Sequence, residues 1–335
     1  MAVTLLSYEF MQRALLAALL TGLAAPAIGT YLVQRRLALM GDGIGHIALT
    51  GVGVGLLTGT APLLAAVVTA ALGALLIETL RARGRASGDV ALALLFYGGI
   101  AGGVLITGLA GGNAATLNAY LFGAITTVST VDLVIVVALA AVVLVLALGL
   151  APQLFAVCQD EEHARVCGLP VRLYGALIAV LAAVTVTVSM RTVGLLLVSA
   201  LMVVPVETSQ QLARSFRTTL IGAMLVGVVA SLAGVVASFY ANTAPGPSIV
   251  ALALLGFLVS WPVGAYQRHR RRLREPFVDE ELRGVELDDV HESAESHPHV
   301  HGEGCGHVAV RHGDHIDYVH AGHRHASHED HYDEH

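Results

Sequence analysis

Residues 131–150 read VDLVIVVALAAVVLVLALGL, with Asp132 as the single ionisable side chain. Twenty residues at about 1.5 Å each make a helix of about 30 Å, the thickness of a bilayer's hydrocarbon core. A run this apolar has no polar face to offer water on any side, so it predicts a membrane-spanning helix. Working outward in both directions, comparable runs lie near 10–33, 42–58, 62–80, 90–110, 172–190, 193–212, 219–240 and 247–266, which makes nine spans. The second is short and broken by Gly43, Gly45, Gly51, Gly53 and Gly55. Residues 115–126, ATLNAYLFGAIT with its Leu117, Asn118 and Gly123, fit a re-entrant or interfacial segment. Eight spans with one segment re-entrant remain an alternative count. The predicted fold class is therefore all-α, a polytopic transmembrane helical bundle.

Composition agrees. The 335 residues are 55% hydrophobic and 13% charged, with a mean hydropathy of +0.71, whereas soluble domains carry about 25% charged residues. The charge divides the chain into a membrane domain, 1–266, and a polar tail, 267–335. The first part holds 11 Arg against 9 acidic residues, and the tail 8 Arg against 16. All 19 basic residues are Arg. Without Lys there is no Walker-type phosphate loop and no Schiff-base chemistry, and HExxH and GxSxG are absent too. Cys158, Cys167 and Cys305 are scattered and give no CxxC pair. The first apolar run is too long for a signal-peptide core, and no small-residue cleavage site follows it. An enzyme is not expected.

Arginine placement predicts the orientation. With the N-terminus outside, Arg35, Arg36, Arg81, Arg83, Arg85, Arg165, Arg172, Arg214, Arg217 and the cluster Arg268–Arg274 fall inside. Arg13 and Arg191 then fall outside. This makes the chain a multi-pass protein of the plasma (inner) membrane with a cytoplasmic C-terminus. The largest inside loop, 151–171, is polar enough to form a helix on the membrane surface, although a plain linker also fits.

Ionisable groups within spans are costly and mark function or pairing. Asp42 and His46, in GDGIGH, stand four residues apart and share a helix face. A carboxylate and an imidazole suit zinc or manganese, with the imidazole favouring zinc. Asp42 as a helix cap, with His46 bonded to a neighbour, fits the spacing equally well. Glu207, after Pro205, fits a third ligand, a gate, an Arg partner or a solvated rim residue. Glu78 stands one turn before Arg81 and reads as a surface pair.

Of the 16 His, 13 lie after residue 290, within the tail. His297, His299, His301, His307, His320, His323, His325, His328 and His331, interleaved with carboxylates, form the kind of tract that binds zinc, nickel, cobalt or copper. The tail is too poor in apolar residues to build a core, so it is expected to be disordered.

Five segments taken together resemble the zinc/manganese family of ABC-type metal permeases. They are LVQRRLALMGDGIGHIALTGVGVG, LNAYLFG, DEEHARVCGLPV, VGLLLVSALMVVPVETSQQLAR and NTAPGPSIVALALLGFLVS. They run in the family's order over roughly 10–262, and the zinc-uptake permeases look most similar. The resemblance implies a permease that imports zinc or manganese as substrate and keeps no bound cofactor. It implies a homodimer or a pair of like permeases, separate cytoplasmic ATPase subunits and an extracytoplasmic metal-binding protein. It also implies that Asp42 and His46 line the pathway. The 159–170 segment, with Asp160, Glu161, Glu162, Arg165 and Gly168, would contact the ATPase. Glu207 and Ser209 depart from the family's usual small residues after its Pro, which points to altered selectivity. The tail lies beyond the family's core. A proton-coupled secondary transporter, or a membrane-tethered metal buffer or sensor acting through the tail, remains a competing function.

Overall fold

The computed structural model describes residues 7–82, 88–112, 114–123, 130–190, 193–274, 292–293, 305–312, 315–320, 323–328 and 331–334. Contacts divide the chain into Met1–Ala265 and Tyr266–His335.

The first unit is helical. Its elements are α1 (Glu9–Gln34), α2 (Met40–Thr58), α3 (Pro62–Ala82), α4 (Gly88–Leu109), α5 (Ala114–Phe122), α6 (Thr130–Gly149) and α7 (Ala151–Gln159). There follow α8 (Glu161–Val166), α9 (Val171–Met190), α10 (Leu195–Leu212), α11 (Phe216–Ala241) and α12 (Pro245–Arg274). Every run expected to span is a helix. Among the described residues eight are long and apolar enough to cross a membrane: α1 to α4, α6, α9, α11 and α12. The ninth expected run, α10, has 18 residues with Glu207, Gln210 and Gln211 near its end. The ambiguous 115–126 segment holds a nine-residue helix, α5, too short to cross.

Helix α1 is the centre of the bundle. Its most apolar window is 72% buried, against 22% for α6, and it packs on α6, α9, α10 and α11. Small residues permit these approaches. A Cβ on Gly22 would lie 2.7 Å from the carbonyl oxygen of Gly227, so α1 and α11 cross there backbone to backbone. The buried Tyr31 hydroxyl donates 2.6 Å to the carbonyl of Ala147. That bond satisfies a carbonyl in the last turn of α6, which has no partner within its own helix. The outward faces of α4, α6 and α12 carry exposed Leu94, Leu105, Val131, Val145, Leu258 and Val259, as lipid-facing surfaces require.

The 151–171 loop is two short helices rather than one. Asp160 separates them, and its carboxylate caps α8 by accepting from the backbone N–H of Glu162 and of His163, both at 2.9 Å.

In the second unit, the tail that composition expects to be disordered, part of the chain is covered by the described residues. They form a five-stranded antiparallel sheet in the order β1-β5-β4-β3-β2. The strands are β1 (Glu292–Ser293), β2 (Val308–His312), β3 (His315–His320), β4 (His323–His328) and β5 (His331–Glu334). Strands two residues apart can pair as hairpins through their backbones. Glu292↔Glu334, Val308↔Val319, Tyr318↔His325 and Ser327↔Tyr332 set the register.

Candidate functional site

Helix α2 begins at Met40, with Leu39 as its N-cap. Asp42 therefore lies inside the first turn rather than at the cap, where its charge still favours the helix dipole. One turn on, His46 is 5% exposed. Its ring and that of Phe96 on α4 meet in a T-shaped contact with centroids 4.3 Å apart. Helix α4 comes this close because Gly99 stands against the backbone of His46, where a Cβ would lie 2.5 Å from the carbonyl carbon. Across α2, Gly41 faces Ser199 and Met202 of α10.

Three facts give this place its chemistry. His46 Nδ1 is buried and has no hydrogen-bond partner among the described residues, so the expected neighbour bond is not made there. Such an atom is costly unless something reaches it. Asp42 is half-buried and lines a cavity of about 310 Å³ with Leu39, Leu92, Ala93, Phe96 and Tyr97. The walls are apolar apart from Asp42 and the Tyr97 hydroxyl, which suits a cation that must exchange water for a few protein donors. Among the described residues, no three His, Cys, Asp or Glu converge on one point. Glu207, half-buried on α10, accordingly does not complete a three-ligand set with Asp42 and His46.

A second polar region surrounds α7 and α8. Arg35, just past α1, has a side chain only 4% exposed and lies 2.5 Å from Glu161 and 3.3 Å from Glu78. Glu78 is thus buried in an ion-paired cluster with Arg35 rather than at the surface. Gly175 of α9 leaves room for it, since a Cβ there would lie 2.4 Å from a Glu78 oxygen. The cluster ties α8 to the ends of α1 and α3. Cys158 sits beneath it, and burial, reinforced by the nearby Glu carboxylates against the opposing pull of Arg35, pushes its thiol up to about 12. Beside it a cavity of about 540 Å³ is lined by Gln34, Arg35, Arg36, Gln159, Glu161 and Gln210 among others. On α8, Ala164 faces inward, while Glu162, His163, Arg165 and Val166 are exposed, Val166 at 87%. Gly168, at φ +81°, turns the chain into α9. Sequence reasoning missed Arg35, Phe96 and Gly99. A lone Arg at a predicted helix end gives no sign that two carboxylates from distant segments will enclose it.

In the tail, His325 is 6% exposed and Asp317 is fully buried, with Arg324 3.7 Å from its carboxylate. His297, His299 and His301 lie outside the described residues.

The chain is similar to known proteins over most of its length. The profile of the ABC 3 transport family matches residues 7–264. A Treponema pallidum protein named probable metal transport system membrane protein is 36% identical over 260 residues, 76% of this chain and 97% of that one. The manganese transport system membrane protein MntC of Halalkalibacterium halodurans is 33% identical over 275 residues, 81% and 94% of the two chains. The solved structure of PsaBC from Streptococcus pneumoniae in complex with Fab superposes with a TM-score of 0.72 at 29% identity. It covers 81% of this chain and 100% of that one. Manganese and zinc systems are thus both among the relatives. With the match running from α1 into α12, the chain belongs to the ABC 3 transport family.

Proposed function

We propose that this chain is the membrane-spanning permease subunit of an ATP-driven importer for a divalent metal ion, zinc in preference to manganese. The observation that carries the reading is the buried, unpartnered Nδ1 of His46, one turn from Asp42 on a tightly packed glycine-rich helix. A bare divalent cation in hydrocarbon is prohibitively costly, so a route needs replacement ligands that are few and weak enough to release the ion. One Asp and one His per chain meet that need. A second copy in a homodimer would supply the same pair again and bring the count to the four that zinc favours. The preference for zinc rests on imidazole at this point and in the tail.

The chain has no Lys and so no phosphate loop of its own. Hydrolysis belongs to separate cytoplasmic ATPase subunits docked on α8, whose exposed Glu162, Arg165 and Val166 offer a contact surface. An extracytoplasmic binding protein delivers the ion. The arginine distribution supports a plasma (inner) membrane protein with a cytoplasmic C-terminus. The test is radiolabelled zinc and manganese uptake in cells lacking their own importers, with and without the co-expressed ATPase and binding protein. Uptake should require both partners and be abolished by Asp42→Ala or His46→Ala at unchanged membrane levels. Normal transport by both variants would refute the ligand assignment. Uptake without any ATPase would instead favour a proton-coupled carrier.

A further inference from the structure

Helix α8 ends on a thiol that meets an imidazole. Cys167 is the C-cap of the helix and His163 stands four residues earlier, so the two share a face. Cys167 Sγ lies 3.5 Å from His163 Nε2, and both side chains are exposed. The backbone that carries them is held at several points. The Cys167 N–H donates to the carbonyl of His163, and the Gly168 N–H to that of Arg165, each at 3.0 Å. The Asp160 carboxylate accepts from the His163 N–H at 2.9 Å. Buried Ala164 seats the turn between the two residues against Val157 and Val171. A weak hydrogen bond between thiol and imidazole is one use of this contact. Metal binding is the other. Zinc holds a thiolate sulfur at about 2.3 Å and an imidazole nitrogen at about 2.0–2.1 Å, in tetrahedral directions. Two such ligands on one ion therefore stand about 3.5 Å from each other. Sγ and Nε2 thus have the separation that a bound ion requires without any movement of the helix.

We propose that His163 and Cys167 form a surface binding site for a zinc-class transition metal ion at the end of α8. On binding, the thiol gives its proton to solvent and the sulfur becomes the anionic ligand, while neutral imidazole donates the lone pair of Nε2. Among the described residues no third His, Cys, Asp or Glu converges on this point. Two positions of the tetrahedron therefore stay with water, which makes the ion exchangeable rather than structural. Thiolate and imidazole together select zinc or copper, whereas magnesium, calcium and manganese favour carboxylate and carbonyl oxygens. Manganese is thus disfavoured here whatever the membrane body carries. Binding stands whether or not α8 meets an ATPase, and Asp42 and His46 stay intact in every variant below.

The experiment uses the purified, untagged full-length chain in detergent. A chelator buffer sets free zinc up to the micromolar range, so that ions taken up by the tail histidines do not change it. Maleimide labelling is followed by peptide mapping, which reads Cys167 by itself. Saturating zinc should slow the labelling of Cys167 about tenfold or more, because the metal engages the sulfur that would attack. Manganese and magnesium at the same free concentration should leave the rate unchanged. His163→Asn and, separately, His163→Gln should remove the protection while Cys167 still labels in zinc-free buffer. Cys305→Ser should keep it. Cys158, which is buried, is the folding control and stays unlabelled in each variant. In the Cys305→Ser chain, added cobalt should give the near-ultraviolet absorption of a cobalt–thiolate bond, lost when Cys167→Ser is added. The proposal is overturned if zinc leaves Cys167 labelling unchanged in the parent, if both His163 variants are protected as the parent is, if manganese protects equally, or if the cobalt absorption survives Cys167→Ser. The first of these results would reduce the contact to a hydrogen bond.

Discussion

A Cβ on Gly99 would stand 2.5 Å from the carbonyl carbon of His46 and 2.6 Å from the amide nitrogen of Ile47. Backbone cannot yield to it as a flexible side chain can, so the helices must separate. Gly99→Ala should therefore push α4 from α2, move Phe96 away from the His46 ring and cost about 1–3 kcal/mol through overpacking. Gly98 next to it has nothing within 4 Å of a built Cβ, so Gly98→Ala is the control. The outcome expected is strongly reduced zinc uptake for Gly99→Ala and near-normal uptake for Gly98→Ala, with melting of the purified chain followed in parallel. Equal uptake by the two would show that the close crossing does not matter to the route. The cysteines give a second prediction at this scale. The thiolate is the reactive form, and the buried Cys158 thiol, pushed up to about 12, holds almost none of it near neutral pH. Cys167 is exposed at the end of α8. A maleimide at pH 7.5 should label Cys167 rapidly and Cys158 only after denaturation, as peptide mapping would report. Fast native labelling of Cys158 in a Cys167→Ser chain would contradict the packing around Arg35. Linkage has a definite sign too. The folded thiol's pKa lies above its ordinary value, so the native state loses stability as pH rises from about 9 toward about 12.

At the scale of elements, α8 shows how a short helix is both specified and held. Asp160 caps it, Glu161 and Glu162 occupy its positive end, and buried Ala164 seats it against Val157 and Val171. The Ala164 N–H donates 3.0 Å to the carbonyl of Asp160. Ala164→Pro removes that donor and costs about 3 kcal/mol in a helix interior. ATP hydrolysis by the co-assembled complex should then run without uptake, or the ATPase should fail to copurify. Retained binding with normal coupled uptake would make α8 a mere connector. Glu161→Gln asks a finer question, because it keeps the shape of the side chain while weakening the link to Arg35. The expectation is retained ATPase binding with a lower ratio of metal moved to ATP hydrolysed. The cap and the acidic first turn of α8 are legible in DEEHAR, because N-capping is local chemistry. The long helices are legible for a related reason, since each span is decided by its own residues. What sequence could not give were arrangements formed between distant segments. Glu78 reads naturally as a surface residue beside Arg81, yet it is buried and Arg35, forty-three residues away, donates to it. Asp42 looks like a cap because nothing in GDGIGH shows that the helix begins two residues earlier, at Met40.

For the whole molecule, the division at Ala265 and Tyr266 separates two kinds of chemistry. The helical unit contains Asp42, His46, the Arg35 cluster and α8, which are all the features from which a route and its coupling have been built. The family match also ends at residue 264. The tail contributes no span, and its 16 acidic residues and 13 of the chain's 16 His follow directly on the Arg268–Arg274 cluster. In the proposed orientation, with the C-terminus cytoplasmic, these groups stand on the exit side of the proposed importer. There they can hold arriving ions or register their level, but they cannot lower the barrier inside the bilayer. A chain ending at Glu275 should therefore still import zinc with its ATPase and binding protein, at rates near those of the full chain when internal zinc is low. As internal zinc rises, the full chain should slow while the truncated chain continues, because only the former carries the sheet's imidazoles. The measurement is initial uptake rate against preloaded zinc in proteoliposomes of defined orientation, with copy number matched by quantitative blotting. Identical slowing in both chains would remove the tail from regulation and leave it a store. Loss of transport on truncation, at normal assembly, would mean that the helical unit does not contain the whole machine.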